Sequence, residues 1–192
     1  MQSYDETDYW NKRIKPNSAT FDATQHHINY VRENLKGTTE ILDFGCGVGR
    51  IFDAYKDKHF ITGFDISKKY VNEIMLKNND YEFHFDLIIG KMGKTQFPDN
   101  AFDAVVCVSV LLHQRPCNIE MVLKEIVRIS KKAIIISYQD ENQDYDVIND
   151  KKKSNRHCYN YNYIDLCNKL GFKISNYKCV GNQVYFVIKN ND

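Results

Sequence analysis

Two carboxylates and a run of glycines carry the most legible chemistry in this sequence. Asp43 lies within the apolar run Ile41-Leu42-Asp43-Phe44, and Gly45, Gly47 and Gly49 follow at once, alternating with Cys46 and Val48. Glycine supplies positive φ angles and close backbone approach without a Cβ penalty. A strand that turns so sharply into a helix aims unpaired N–H groups at whatever lies above its tip, which suits a carboxylate- or phosphate-bearing ligand. A second apolar run, Phe60-Ile-Thr-Gly-Phe-Asp65, also ends in a carboxylate. Such a group beside a glycine turn can accept hydrogen bonds from both hydroxyls of a ribose. A third candidate is His113, at the end of Val105–Leu112, whose imidazole would titrate near neutrality and suit a general base.

The elements that must hold these groups alternate between strand and helix. Residues 40–44 and 60–65 read as strands, with a short helix over 50–57 between them. Ser67 is placed to cap a helix running to Asn78, with Tyr70, Val71, Ile74 and Met75 as its buried stripe. Tyr81–Phe85 alternates as a third strand ending at Asp86, and residues 87–100 read as a loop closed by the turn Phe97-Pro98-Asp99-Asn100. The run 102–108 does not alternate, which predicts a parallel strand buried on both faces. An amphipathic helix over 119–130 should pack Met121, Val122, Ile126 and Ile129 inward and leave Lys124, Glu125 and Arg128 on its rim, before a strand over 133–137. Residues 138–156 are charged and weakly periodic. A helix from Tyr159 closed at Gly171 and a hairpin of 172–180 and 183–189, turning at Gly181-Asn182, complete the chain. At its start, residues 1–20 are polar with Tyr4, Tyr9, Trp10 and Ile14 as isolated anchors. Phe21–Leu35 follows as an amphipathic helix stopped by Lys36-Gly37, with His26 and His27 at its surface or boundary.

The spacing G-x-G-x-G after Asp43, the carboxylate Asp65, and Phe102-Asp103 opening a strand followed by His113 together resemble the class I S-adenosylmethionine-dependent methyltransferases. The resemblance is good over roughly residues 38–138 and looser elsewhere. It implies an α/β, Rossmann-like, seven-stranded and mostly parallel sheet in the order 3-2-1-4-5-7-6, with the last strand antiparallel and helices on both faces. It implies an enzyme that binds S-adenosyl-L-methionine, releases S-adenosyl-L-homocysteine, and moves a methyl group to an O- or N-nucleophile of a small molecule. As cofactor contacts it implies Asp43, Gly45, Cys46, Gly47, Gly49, Asp65, Ile66 against the adenine, Asp86 and Leu87 at the adenine edge, and Cys107 in the fourth strand. His113 and Tyr9 become candidates for catalysis, and Tyr138, Arg156 and His157 for the acceptor. Residues 1–36 are then an arm and helix that cap the ligand, and 37–192 the core, with 138–157 as a lid-like loop.

Composition sets limits. The chain has 192 residues and a formal net charge of +1, so no global field draws it to nucleic acid. A triple lysine, Lys151–Lys153, follows an acidic stretch that would repel a phosphate backbone. Six cysteines form no C-x-x-C pair, which suggests a reducing cytoplasm and no metal site. The N-terminus lacks a signal-peptide pattern, and no apolar run is long enough to span a membrane. The expected protein is a cytoplasmic monomer or homodimer. Three other readings compete: an NAD-dependent oxidoreductase, disfavoured because Arg50 stands where a dinucleotide turn wants its third glycine; a non-catalytic S-adenosylmethionine-binding scaffold; and an RNA or nucleotide methyltransferase.

Overall fold

The computed structural model describes residues 6–12, 21–58, 60–76, 83, 85–140 and 158–190. Its strands form one seven-stranded sheet in the order β3-β2-β1-β4-β5-β7-β6, with β7 antiparallel to both neighbours and helices around it. The expected order is the one observed. The chain divides into two compact units, Met1–Met92 and Gly93–Asp192.

The first unit contains α1 (Glu6–Lys12), α2 (Phe21–Asn34), β1 (Glu40–Phe44), β2 (Phe60–Asp65), α3 (Lys68–Leu76) and β3 (Phe85–Ile89). β1 pairs in parallel with β2, and β2 with β3, so Asp43 lies opposite Gly63 and Asp65 opposite Ile89. Gly37, at φ 74°, ends α2 as expected. Ser67 caps α3, its Oγ accepting from Tyr70 N at 3.3 Å. Met75 is 56% exposed and not part of the buried stripe, which stops at Tyr70, Val71 and Ile74. Between β1 and β2 the expected helix over 50–57 is only a 3-10 turn, Phe52–Tyr55, with Phe52, Ala54 and Tyr55 buried.

The second unit contains β4 (Ala104–Val108), α4 (Ile119–Arg128), β5 (Lys132–Tyr138), α5 (Tyr163–Lys169), β6 (Ile174–Val180) and β7 (Gln183–Lys189). All five residues of β4 are buried, as its unbroken apolar run requires. On α4 two expectations reverse. Met121 is 46% exposed, whereas Glu125 is buried. The Glu125 carboxylate accepts from Thr95 N and Oγ1, both at 2.6 Å, and from Arg128. Those partners offset its desolvation and pull its pKa below the usual range. Met121 instead covers the loop at Gly93, where a Cβ would meet its Cε at 2.5 Å. α5 starts at Tyr163 rather than Tyr159, because the Asn162 side chain accepts from Asp165 N and caps it there.

Candidate functional site

In the first unit the tip of β1 runs into a turn built on three left-handed glycines: Gly45 at φ 93°, Gly47 at φ 56° and Gly49 at φ 77°. A side chain at these angles is strained against its own backbone, which favours glycine. The turn is tied to β2, since Gly45 N and Cys46 N both donate to Phe64 O, at 2.7 and 3.1 Å. Its middle is tied to the next carboxylate. Asp65 accepts from Gly47 N on one oxygen at 2.9 Å and from Ser67 N on the other at 2.8 Å. Burial raises the Asp65 pKa, and these amides, with Ile66 N, oppose the rise. The carboxylate is therefore held in one orientation before any ligand arrives, with Ile66 half-buried beside it.

Asp43 is more deeply placed, at 1% exposure. Desolvation pushes its pKa up to about 7; Asp65 adds to the rise, while the Tyr55 hydroxyl and the Arg50 guanidinium oppose it. Its Oδ2 is fully buried with no hydrogen-bond partner among the described residues. A native interior seldom leaves such an acceptor unmatched unless something else supplies the donor. Behind it, Arg50 approaches His27 Nδ1 at 3.4 Å, and burial lowers the Arg50 pKa. His27 is thus a buried residue, at 2% exposure, and not a surface one; Arg50 draws it inward, while its neighbour His26 is exposed. Cys46 is buried too, its thiol pushed well up by desolvation and by Asp43 and Asp65.

The third strand lies four residues later than expected. Asp86 is in the body of β3, exposed and paired with Thr62, rather than just past the strand. The tip belongs to Ile89 and Gly90, and Gly90 N donates to Asp65 O at 3.0 Å. Alternation over 81–85 suggested the earlier position; the parallel register with β2, which no local pattern encodes, decides the later one. Leu87 does come near the turn. A Cβ on Gly63 would meet Leu87 Cδ2 at 2.8 Å and Cys46 Sγ at 3.2 Å, so the bare glycine lets these side chains meet across β2. α1 reaches the same region: Ser67 Oγ donates to Asn11 Oδ1 at 3.2 Å, and Lys69 N to the same oxygen at 3.4 Å. Tyr9, half-buried, stacks edge-on against Trp10 with ring centroids 5.0 Å apart.

In the second unit β4 ends at Ser109, a non-glycine residue at φ 59°, whose N–H donates to Ile136 O at 2.8 Å. Positive φ at such a residue costs energy and is common where a backbone is shaped for a ligand. Cys107 is fully buried within β4. His113 closes the 3-10 turn Leu111–His113, half-buried, with Nδ1 3.5 Å from Cys158 Sγ. Tyr138, at the end of β5, donates its hydroxyl to Asp140 Oδ2 at 3.2 Å and accepts from Asn182 Nδ2 at 3.2 Å. Arg156 and His157 lie outside the described residues, as does most of the lid-like stretch 138–157.

Asp43, the glycine turn, Asp65, Ile66 and Leu87 are thus gathered in the first unit, whereas Asp86 lies in the body of β3 and not at its tip. Arg50 and Tyr55 were missed as neighbours of Asp43, and His27 as the partner of Arg50. Of these, Arg50 alone had a sequence signal, as the one charged residue next to the turn. Among the described residues no group of three or more His, Cys, Asp or Glu could hold a metal ion, and no helix is long and apolar enough to cross a membrane.

Residues 41–133 match the family model described as a methyltransferase domain. The sterol 24-C-methyltransferase erg-4 of Neurospora crassa is 30% identical over 62% of this chain and 32% of its own length. The chain spans about a third of the length of the curated relatives it matches first. Among solved structures, the PH0226 protein of Pyrococcus horikoshii superposes with a TM-score of 0.77 at 22% identity, covering 96% of this chain and 99% of that one. Magnesium protoporphyrin IX methyltransferase of Synechocystis, crystallised with bound S-adenosylhomocysteine, superposes with a TM-score of 0.72 at 15% identity, covering 96% and 98%.

Proposed function

From the match of residues 41–133 to a methyltransferase-domain model and from the shared fold, we propose that this chain is a class I S-adenosylmethionine-dependent methyltransferase that transfers a methyl group to a small-molecule acceptor. The observation that carries this reading is the Asp65 carboxylate, fixed by Gly47 N and Ser67 N at the tip of β2. A carboxylate so held can receive two ribose hydroxyls without reorganising. Asp43 fits the other end of the cofactor: its orphaned Oδ2 lacks a donor, and the methionine ammonium carries several. The three left-handed glycines carry no side chains, so the backbone at those positions can approach the ligand closely.

When bound, S-adenosylmethionine supplies an electrophilic methyl group on a sulfonium. What remains for the chain is to bind, orient and exclude water. We assign cofactor binding to Asp43, Gly45, Cys46, Gly47, Gly49, Asp65, Ile66 and Leu87, with the adenine edge at Gly90-Lys91, just past β3, in place of Asp86. α1, docked through Asn11 on Ser67 and Lys69, is proposed to cap the ribose end and carries Tyr9 there. His113 is proposed as the group that takes a proton from an O- or N-nucleophile, and Tyr138, Arg156 and His157 as acceptor contacts. Small-molecule acceptors are named for the relatives, a sterol for erg-4 and magnesium protoporphyrin IX for the Synechocystis enzyme. The small net charge of this chain agrees with an acceptor of that size.

Isothermal calorimetry with S-adenosylhomocysteine and with NAD tests the assignment. Saturable binding of the first and none of the second is expected. Tight NAD binding without a response to S-adenosylhomocysteine would overturn it.

A further inference from the structure

We propose that Cys158 and His113 form a thiol–imidazole pair that makes Cys158 the reactive cysteine of this chain, a modification site for low-molecular-weight disulfides. The inference needs no bound cofactor, and it uses the same imidazole that is proposed above as proton acceptor. Cys158 Sγ and His113 Nδ1 are 3.5 Å apart, a sulfur–nitrogen hydrogen-bond distance. The backbone holds them together, because Tyr159 N donates to Leu112 O at 2.6 Å, and the Tyr161 hydroxyl donates to Gln114 O at 2.6 Å. These two bonds lie on either side of His113 and clamp the segment after Cys158 against its 3-10 turn.

The other five cysteines set the contrast. Cys46, Cys107 and Cys167 are buried, and Cys117 and Cys179 are exposed. The thiols of Cys117 and Cys179 face only an amide oxygen, Asn118 Oδ1 at 3.6 Å, and a phenol, Tyr177 at 3.5 Å. Neither partner can take up a thiol proton at neutral pH. Among the described residues only Cys158 combines partial exposure with an imidazole within reach. A thiol beside an imidazole can pass its proton over and stand as thiolate against imidazolium, which is the nucleophilic form.

The chemistry balances without an added oxidant. The Cys158 thiolate attacks one sulfur of a disulfide R–S–S–R and forms Cys158–S–S–R. The S–S bond of the reagent breaks, and the leaving R–S⁻ takes the proton that His113 accepted, departing as R–SH.

The test exposes the intact protein briefly to oxidised glutathione at neutral pH and reads mixed disulfide at each cysteine by peptide mass mapping. Cys158 is expected to react about tenfold faster than Cys117 and Cys179, the gain from raising the thiolate fraction of an ordinary thiol. His113→Gln should bring Cys158 down to their rate and leave those two unchanged. Equal rates at the three cysteines in the native protein would overturn the proposal, as would an unchanged Cys158 rate in His113→Gln. Labelling of Cys46, Cys107 or Cys167 reports unfolding, and if the variant shows it, the native ranking decides alone.

Discussion

Asp65 and Asp43 are both buried, yet they are expected to answer mutation differently. Asp65→Ala removes the acceptor of Gly47 N and Ser67 N as well as the proposed ribose contact. Affinity for S-adenosylhomocysteine should fall at least about tenfold, and apo stability by about 1–3 kcal/mol, the cost of leaving a buried donor unpaired. Asp65→Asn, which keeps one acceptor, should recover part of the stability but not the affinity. Calorimetry and urea denaturation separate the two losses. Asp43 makes its mark through pH. Its pKa stands at about 7 in the fold against an ordinary 3.8, so the folded state holds this proton where the unfolded chain has lost it. The stability that follows is fully present below 3.8 and declines as pH rises through about 7. In the Asp43→Asn variant the group cannot ionise, and the decline across that window should become shallower than in the native protein. Equal slopes in urea titrations at successive pH values would contradict the burial argument.

At the scale of elements, β2 carries a position that its sequence alone made unremarkable. Gly63 lies opposite Asp43 on one side and Leu87 on the other, with room for nothing more than hydrogen. Gly63→Ala is expected to cost about 1–3 kcal/mol through overpacking. Because the atom in the way is the flexible end of Leu87, Leu87→Ala in the same chain should relieve part of that cost, which a double-mutant cycle by urea denaturation would read as coupling. α3 depends on its cap in the ordinary manner. Ser67→Ala should cost about 1 kcal/mol, and because Ser67 Oγ also meets Asn11, it should loosen α1 as well, visible as faster amide exchange over Glu6–Lys12.

For the molecule as a whole, a ligand that binds only the folded state raises its stability. At a concentration a hundredfold above Kd, S-adenosylhomocysteine should add about 2.7 kcal/mol and lift Tm by roughly 5–10 °C for a chain of this size. NAD at the same concentration should leave Tm unchanged. The sequence made much of the sheet legible at this scale because β1, β4 and β5 bury nearly all their residues and so appear as apolar runs, bounded by glycine, proline and amphipathic helices. The strands themselves, the glycine turn and the carboxylate on β2 could be read from such local signals, whereas the strand order came from the family resemblance.

What the sequence by itself determined was therefore the kind of fold and the glycine turn with its carboxylates at the strand ends, since glycine conformation and apolar patterning act over short stretches of the chain. Only the tertiary structure decided which residues meet across the sheet. Parallel register is set by packing between strands far apart in sequence, so Asp86 moved into the body of β3 and Gly90 to its tip. The same long-range packing drew His27 inward to Arg50, buried Glu125 once Thr95 and Arg128 could satisfy it, and brought Cys158 against His113. Charged and titratable side chains go wherever partners compensate their desolvation, and those partners are chosen by the fold, not by the neighbours in the chain.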